Sequence, residues 1–215
     1  PWKVPMPKLS ARTDSSTFDL ATLRHALIDR GYAPVPVEGK SPHATKGWQK
    51  LQPDHKQVDG LIRHAPKATN TGVLTGTVVA IDIDVLDVGT AARLSAMVRA
   101  LPDGDRALCR VGKAPKSLFL FRTDSPRRKR TTEKYRIGGH ACQVEVLGTG
   151  QQFVAFGTHP DTGRAYSWEG ASPLDIALPA LPLIDSATVD AFLADAEAML
   201  AEAGEPVKQP KTKPA

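Results

Sequence analysis

Hydrophobic and polar positions alternate along the chain with two periods, one helical and one extended. In STFDLATLRHALIDR, residues 16–30, Leu20, Leu23, Ala26 and Leu27 share a helical face between a Ser/Thr start and Gly31, which predicts a short amphipathic helix. APVPV follows, then the Gly-Lys-Ser-Pro turn at 39–42 and Trp48. The polar segment from Asp54 to Arg63 opens on Pro53-Asp54 and fits a second helix. TGVLTGTVVAIDID, residues 71–84, reads as a turn followed by a buried strand, Thr77 to Ile83, because β-branched residues dominate it. That strand runs out on two acids.

GTAARLSAMVRAL, residues 89–101, returns to the helical period, so the local order is strand, acidic loop, helix. Leu108 to Val111 and Ser117 to Phe121 read as short strands around the Gly-Lys-Ala-Pro-Lys turn at 112–116. From Ala141 to Leu147, Gln143 and Glu145 fall on one face and Cys142, Val144 and Val146 on the other. Gly148 and Gly150 permit a turn into a further strand, Gln152 to Phe156, which would pair with its predecessor as a hairpin. Ser186 to Ala203 closes as a helix with Val189, Phe192, Leu193, Ala196 and Leu200 on its apolar side. No internal repeat is present, which excludes solenoids and propellers.

Length and composition bound this picture. The 215 residues can bury one core, or one core with a small appended subdomain. The expected divisions are a flexible start at 1–15, a domain at 16–203 and a basic, proline-rich tail or linker at 204–215. No run approaches the roughly 20 apolar residues of a membrane span. Pro1 to Leu9 lacks the basic-then-apolar order of a secretory signal, so a cytoplasmic location is expected. Cys109 and Cys142 lie outside any C-x-x-C spacing and read as buried thiols. The formal charge of +5 permits a polyanionic partner. The strongest basic run is Arg127-Arg128-Lys129-Arg130, for which a solvated loop and a phosphate contact both stand.

Candidate chemistry begins with the acids. Asp82 and Asp84 alternate along a strand, so they share a face about 6 to 7 Å apart at Cα. Beside Ala80, Ile81 and Ile83, uncompensated carboxylates would be costly, and a divalent cation compensates them directly. Asp-x-Asp alone also fits a strand end entering a solvated loop. Glu145 shifts the balance, since it too lies mid-strand on a polar face between Val144 and Val146. Three carboxylates on neighbouring strands can hold two Mg²⁺ or Mn²⁺ ions, an arrangement suited to phosphoryl transfer.

Three spaced blocks carry a resemblance that spans roughly Leu20 to Trp168: GYAPVPVEGKSPHATKGW, NTGVLTGTVVAIDID and VEVLGTGQQFVAFGTHPDTGRAYSW. In that order they resemble the bifunctional primase-polymerase domain of phage, plasmid and mobile-element replication proteins, part of the archaeo-eukaryotic primase superfamily. The resemblance implies an α/β (α+β) fold with an RRM-like catalytic sheet flanked by helices and a small N-terminal module. It implies template-directed transfer from nucleoside triphosphates to a 3′-hydroxyl, with Mg²⁺ or Mn²⁺ as cofactor, a DNA template as partner and a helicase domain beyond the tail. Asp82 and Asp84 match the family's first acidic motif and Glu145 its last. The middle motif, Ser-x-His in the family, is Ser117-Leu118-Phe119 here, so Lys113 and Lys116 are the candidates to replace the histidine as phosphate ligands beside Ser117. His159 matches a family histidine that contacts nucleotide. Lys40, for which a phosphate contact and a salt-bridge or surface role both stand, and the run Arg127, Arg128, Lys129 and Arg130 are the candidates for nucleic-acid phosphates. Tyr166 and Trp168, with Arg164 nearby, fit either template contacts or core strand positions. Two alternatives stand beside this reading: a catalytically weak or inactive nucleic-acid-binding replication module, and a metal-dependent nuclease.

Overall fold

Two antiparallel sheets organise the chain, and the side on which each strand buries its side chains decides what the sheets enclose. A computed structural model describes residues 20–42 and 46–207. The segment 1–15, the Ser/Thr start of the first helix and the tail from 208 onward lie outside the described residues.

The first helix, α1 (Leu20–Asp29), leads through a turn at Gly31 to β1 (Pro34–Val37). Helix α2 (His55–His64) opens on a capping box in which Asp54 and Gln57 exchange side-chain-to-backbone hydrogen bonds. Strand β2 (Asn70–Leu74) then forms where a turn is expected from sequence. It is the middle strand of a three-stranded sheet, between β1 and β9 (Gln152–Phe156). Pairing on both sides stabilises a strand whose glycine weakens its local signal.

The larger sheet centres on β3 (Val78–Asp84), with β5 (Ser117–Arg122) on one side and β8 (His140–Leu147) on the other. Strand β4 (Leu108–Val111) pairs outside β5, and β10 (Ser167–Trp168) outside β4. On the opposite flank, β7 (Tyr135–Ile137) and β11 (Glu205–Pro206) extend the sheet, and β6 (Arg130–Thr131) pairs with β8. The order β4-β5-β3-β8, with helix α3 (Val88–Arg99) after β3, matches the expected RRM-like sheet. The second covering helix, α4 (Ser186–Ala203), comes after β10 and before β11 rather than between β5 and β8. The whole is an α+β fold.

Alternation divides the large sheet cleanly. Ile81, Ile83, Phe119, Phe121, Val144 and Val146 pack with Leu94, Val98, Phe192 and Leu200 on the helix side. Ala80, Leu108, Leu118, Leu120 and Leu147 face the small sheet and meet Val73, Phe153 and Ala155 there. Asp82, Asp84 and Glu145 belong by parity to that second face. Both cysteines are free and buried. Among the described residues no helix is long and apolar enough to cross a membrane.

Candidate active site

The apolar contact between the two sheets opens at one end into a cavity of about 320 Å³. Asp82, Asp84 and Glu145 line it from the large sheet, and Lys40, Gln152 and His159 from the small sheet and its loops. Asp82 lies directly opposite Glu145 in the β3–β8 pairing and opposite Leu118 in the β3–β5 pairing. Cross-strand neighbours on one face stand about 5 Å apart at Cβ, so strand register alone brings Asp82 and Glu145 together.

Burial, reinforced by the negative charges of Asp84 and Glu145, pushes the Asp82 carboxyl up to about 6, against the opposing pull of Arg110 and Lys116. Burial thus outweighs the nearby cations at Asp82. Lys116 forms an ion pair with Asp84, and Lys129 pairs with Glu145 at 2.7 Å. Gln143 also donates to Glu145. Held in these pairs, no group of three His, Cys, Asp or Glu side chains stands assembled around a metal position among the described residues. The donor set is nevertheless three hard carboxylate side chains, which fits Mg²⁺ or Mn²⁺ better than a soft metal.

Lys113 and Lys116 occupy the ends of a turn closed by the Lys116 N–H donating to the Lys113 carbonyl at 3.0 Å, and both line the cavity. Lys129 arrives by alternation. Thr131 lies opposite Glu145 in the β6–β8 pairing, so Lys129 shares its side of the sheet, whereas Arg130 points to the helix side. There Arg130 pairs with Asp190 and donates to the Ser186 hydroxyl at 3.2 Å. Arg127 and Arg128 are exposed beside this strand.

Ser117 reaches the cavity edge, but its hydroxyl lies 3.2 Å from that of Ser95 on α3. Phe119 is fully buried on the same helix side. The β5 residue that shares the carboxylate face is Leu118, so Ser-x-His spacing counted from Ser117 leads away from the acids.

His159 is reached by a different route from the expected hairpin. Strand β9 pairs with β2 rather than β8, and the chain returns to the cavity because the two sheets face each other. The buried imidazole accepts the Asp161 N–H at Nδ1, 3.2 Å away, which leaves Nε2 to carry the proton. Burial first, then Lys40, holds its pKa below the usual histidine value. Lys40 lies 3.4 Å from Asp161, on the cavity wall rather than with the basic run at 127–130.

Arg110 is the residue that motif reading missed. It lies opposite Leu118 on β4, so it faces the cavity two strands from Asp82. Its guanidinium stacks 4.7 Å from the Tyr166 ring centre and donates to the Val154 carbonyl at 2.8 Å. The phase of Leu108-Cys109-Arg110 carried that signal, an arginine in step with buried strand positions. Tyr166, itself buried, tilts against His159 with ring centres 5.2 Å apart, while Trp168 lies in β10 against Phe156. Tyr166 is thus both a core residue and a cavity wall. Arg164 is exposed.

A cavity with three carboxylates on one sheet and a ring of lysines and an arginine around them is built for a polyanion bound with cations. The family model described as bifunctional DNA primase/polymerase, N-terminal, matches residues 24–183. The chain belongs to this family. Membership places this primase-polymerase domain among the DNA primase/polymerase domains of replication, which act on nucleotides and DNA and generally use divalent metals. No curated protein matches the chain.

Proposed function

We propose that this domain performs template-directed nucleotidyl transfer in replication of a phage, plasmid or other mobile element, with Asp82, Asp84 and Glu145 as the ligands of Mg²⁺ or Mn²⁺. The observation that supports this most directly is the register that sets Asp82 opposite Glu145, with Asp84 on the same face of β3. Bound Mg²⁺ or Mn²⁺ supplies Lewis acidity toward the attacking 3′-hydroxyl and the triphosphate. The chain's own residues do the positioning. Lys116 and Lys129 neutralise Asp84 and Glu145, and would contact the phosphates where a cation takes over those carboxylates. Lys113 and Lys40 add cationic contacts, and His159 offers a neutral Nε2–H donor. Arg110, held rigid by Tyr166, faces the developing charge. Ser117 begins β5 at the cavity edge, with its hydroxyl against Ser95 of α3. Arg127 and Arg128 extend the basic surface toward the template strand, a partner whose unwinding would fall to a helicase domain.

The second reading, a nucleic-acid-binding module with weak or no turnover, is favoured by one observation. Leu118 presents no titratable group to the carboxylates from β5. Extension of a labelled primer-template with Mg²⁺ or Mn²⁺ and all nucleotides tests both. Extension by the wild type that disappears in an Asp82→Ala, Asp84→Ala double variant supports transfer at this site. A folded wild type that binds DNA without extending it supports the module.

A further inference from the structure

The small sheet ends in a notch at the cavity. Its central strand β2 begins at Asn70, paired with Val37, while the chain leaves β1 there and turns past it through Gly39 and Lys40. On the other side Thr71 is paired with Phe156, the last residue of β9, and the chain continues through Gly157, Thr158 and His159. The loops that follow both outer strands thus pass beyond the middle one, and they carry two cavity residues, Lys40 and His159.

Asn70 fills the notch. It is 3% exposed, and its amide nitrogen donates to the Gly39 carbonyl and to the Thr158 carbonyl, each at 2.8 Å. Its amide oxygen accepts the Thr158 N–H, also at 2.8 Å. Both donor hydrogens and one acceptor site are therefore spent on two loops that have no ladder bonds to β2. The fit is close. A Cβ on Gly157, whose φ is +118°, would lie 2.0 Å from the Asn70 oxygen. From behind, Arg24 on α1, only 1% exposed, donates to the carbonyls of Asn70 and Ala68 and to the Thr71 hydroxyl, each at 3.2 Å. In front, Lys40 and Asp161 close the two loops at 3.4 Å, and Gln152 donates to the Lys40 carbonyl at 3.2 Å.

We infer that Asn70 is a positioning residue for nucleotide binding: a clasp that sets the spacing between Lys40 and His159 across the wall facing the carboxylates. The inference rests on the proposed placement of the triphosphate in this cavity. Asn70 touches no cavity ligand itself and acts through the two loops. A wall carrying a cationic group and an N–H donor binds a triphosphate well only while their separation matches the phosphate chain, and small misplacements have large effects.

Asn70→Asp keeps the size and the acceptor but presents no donor to either carbonyl. With this variant, KM for nucleotide and kcat are measured in primer extension, alongside the dissociation constant of a non-hydrolysable triphosphate, primer-template affinity and the melting temperature. The expected result is a roughly tenfold rise in nucleotide KM and dissociation constant, with kcat and template affinity changing far less. Because the clasp acts through Lys40, the loss from Asn70→Asp shrinks in a Lys40→Ala background, whereas a merely structural role gives independent, multiplicative losses. If Asn70→Asp melts below the assay temperature, Asn70→Ser, which retains one donor, replaces it with a smaller shift in the same direction. Unchanged nucleotide affinity in a folded variant overturns the clasp, as do multiplicative losses with Lys40→Ala. If neither Lys40→Ala nor His159→Ala weakens triphosphate binding, the placement of nucleotide at this wall falls, and the clasp with it.

Discussion

At the scale of single residues the site is a contest between burial and charge, and Asp82 shows which wins. Its carboxyl sits at about 6 with burial as the first cause, although Arg110 and Lys116 pull the other way. A folded-state pKa above the ordinary value means the native chain keeps a proton that the unfolded chain releases. Stability from this group is therefore greatest below pH 4 and falls as pH rises through about 6. Asp82→Asn removes the charge with little change of shape. It is expected to stabilise the metal-free protein at pH 7 by about 1–3 kcal/mol, to lose that advantage near pH 4 and to abolish extension. Urea midpoints at the two pH values read this directly, and a variant less stable than wild type at pH 7 contradicts it. Gly112 gives a second residue-scale expectation. A Cβ there would lie 2.5 Å from the Tyr166 ring and 2.8 Å from His159 Cδ2. Gly112→Ala should push the Tyr166 ring off Arg110, displace His159 with it and raise nucleotide KM several-fold while template affinity holds, as kinetics and a DNA-binding titration would show.

At the scale of elements, what the sequence disclosed followed from period and burial together. Strands β3, β5 and β8 and helices α3 and α4 were legible because alternation or a helical stripe coincided with one buried face, and that same alternation put Asp82, Asp84 and Glu145 on a common side. Strand β2 was not legible, since Asn70, Thr71 and Gly72 have turn character and their extended form comes from neighbours far along the chain. Nor was the partner of β9. Turn residues after β8 suggested a hairpin, but the residues between them carry the chain from one sheet to the other. The middle motif is out of phase with the acids, because Ser117 and Phe119 face the helices. A contrast between them follows. Phe119→Ala should destabilise the fold by about 3–5 kcal/mol through a buried void. Ser117→Ala loses only a hydroxyl pair and should leave both denaturant midpoint and nucleotide KM close to wild type. A large KM effect in Ser117→Ala with an unchanged midpoint would return Ser117 to the nucleotide.

At the scale of the whole molecule, net charge predicts a polyanion but not where it lies. The formal +5 is divided by the sheet itself. Lys40, Lys113, Lys116 and Lys129 turn into the cavity, Arg130 is spent on Asp190 behind the sheet, and Arg127 and Arg128 remain on the outer surface. Counterion release makes this division measurable, because each phosphate contact adds about 0.7 to 0.9 to the slope of log affinity against log salt. Replacing Arg127 and Arg128 together by alanine should lower the slope for a DNA template by about 1.4 to 1.8 and leave nucleotide KM alone. Lys40→Ala should do the reverse, weakening nucleotide binding with the template slope intact. Arg130→Ala should change neither and instead lower the melting temperature, since it breaks the ties of β6 to α4. Equal slope changes for Arg128→Ala and Arg130→Ala would mean that the pair with Asp190 does not withdraw Arg130 from DNA, and that DNA reaches the helix side of the sheet as well.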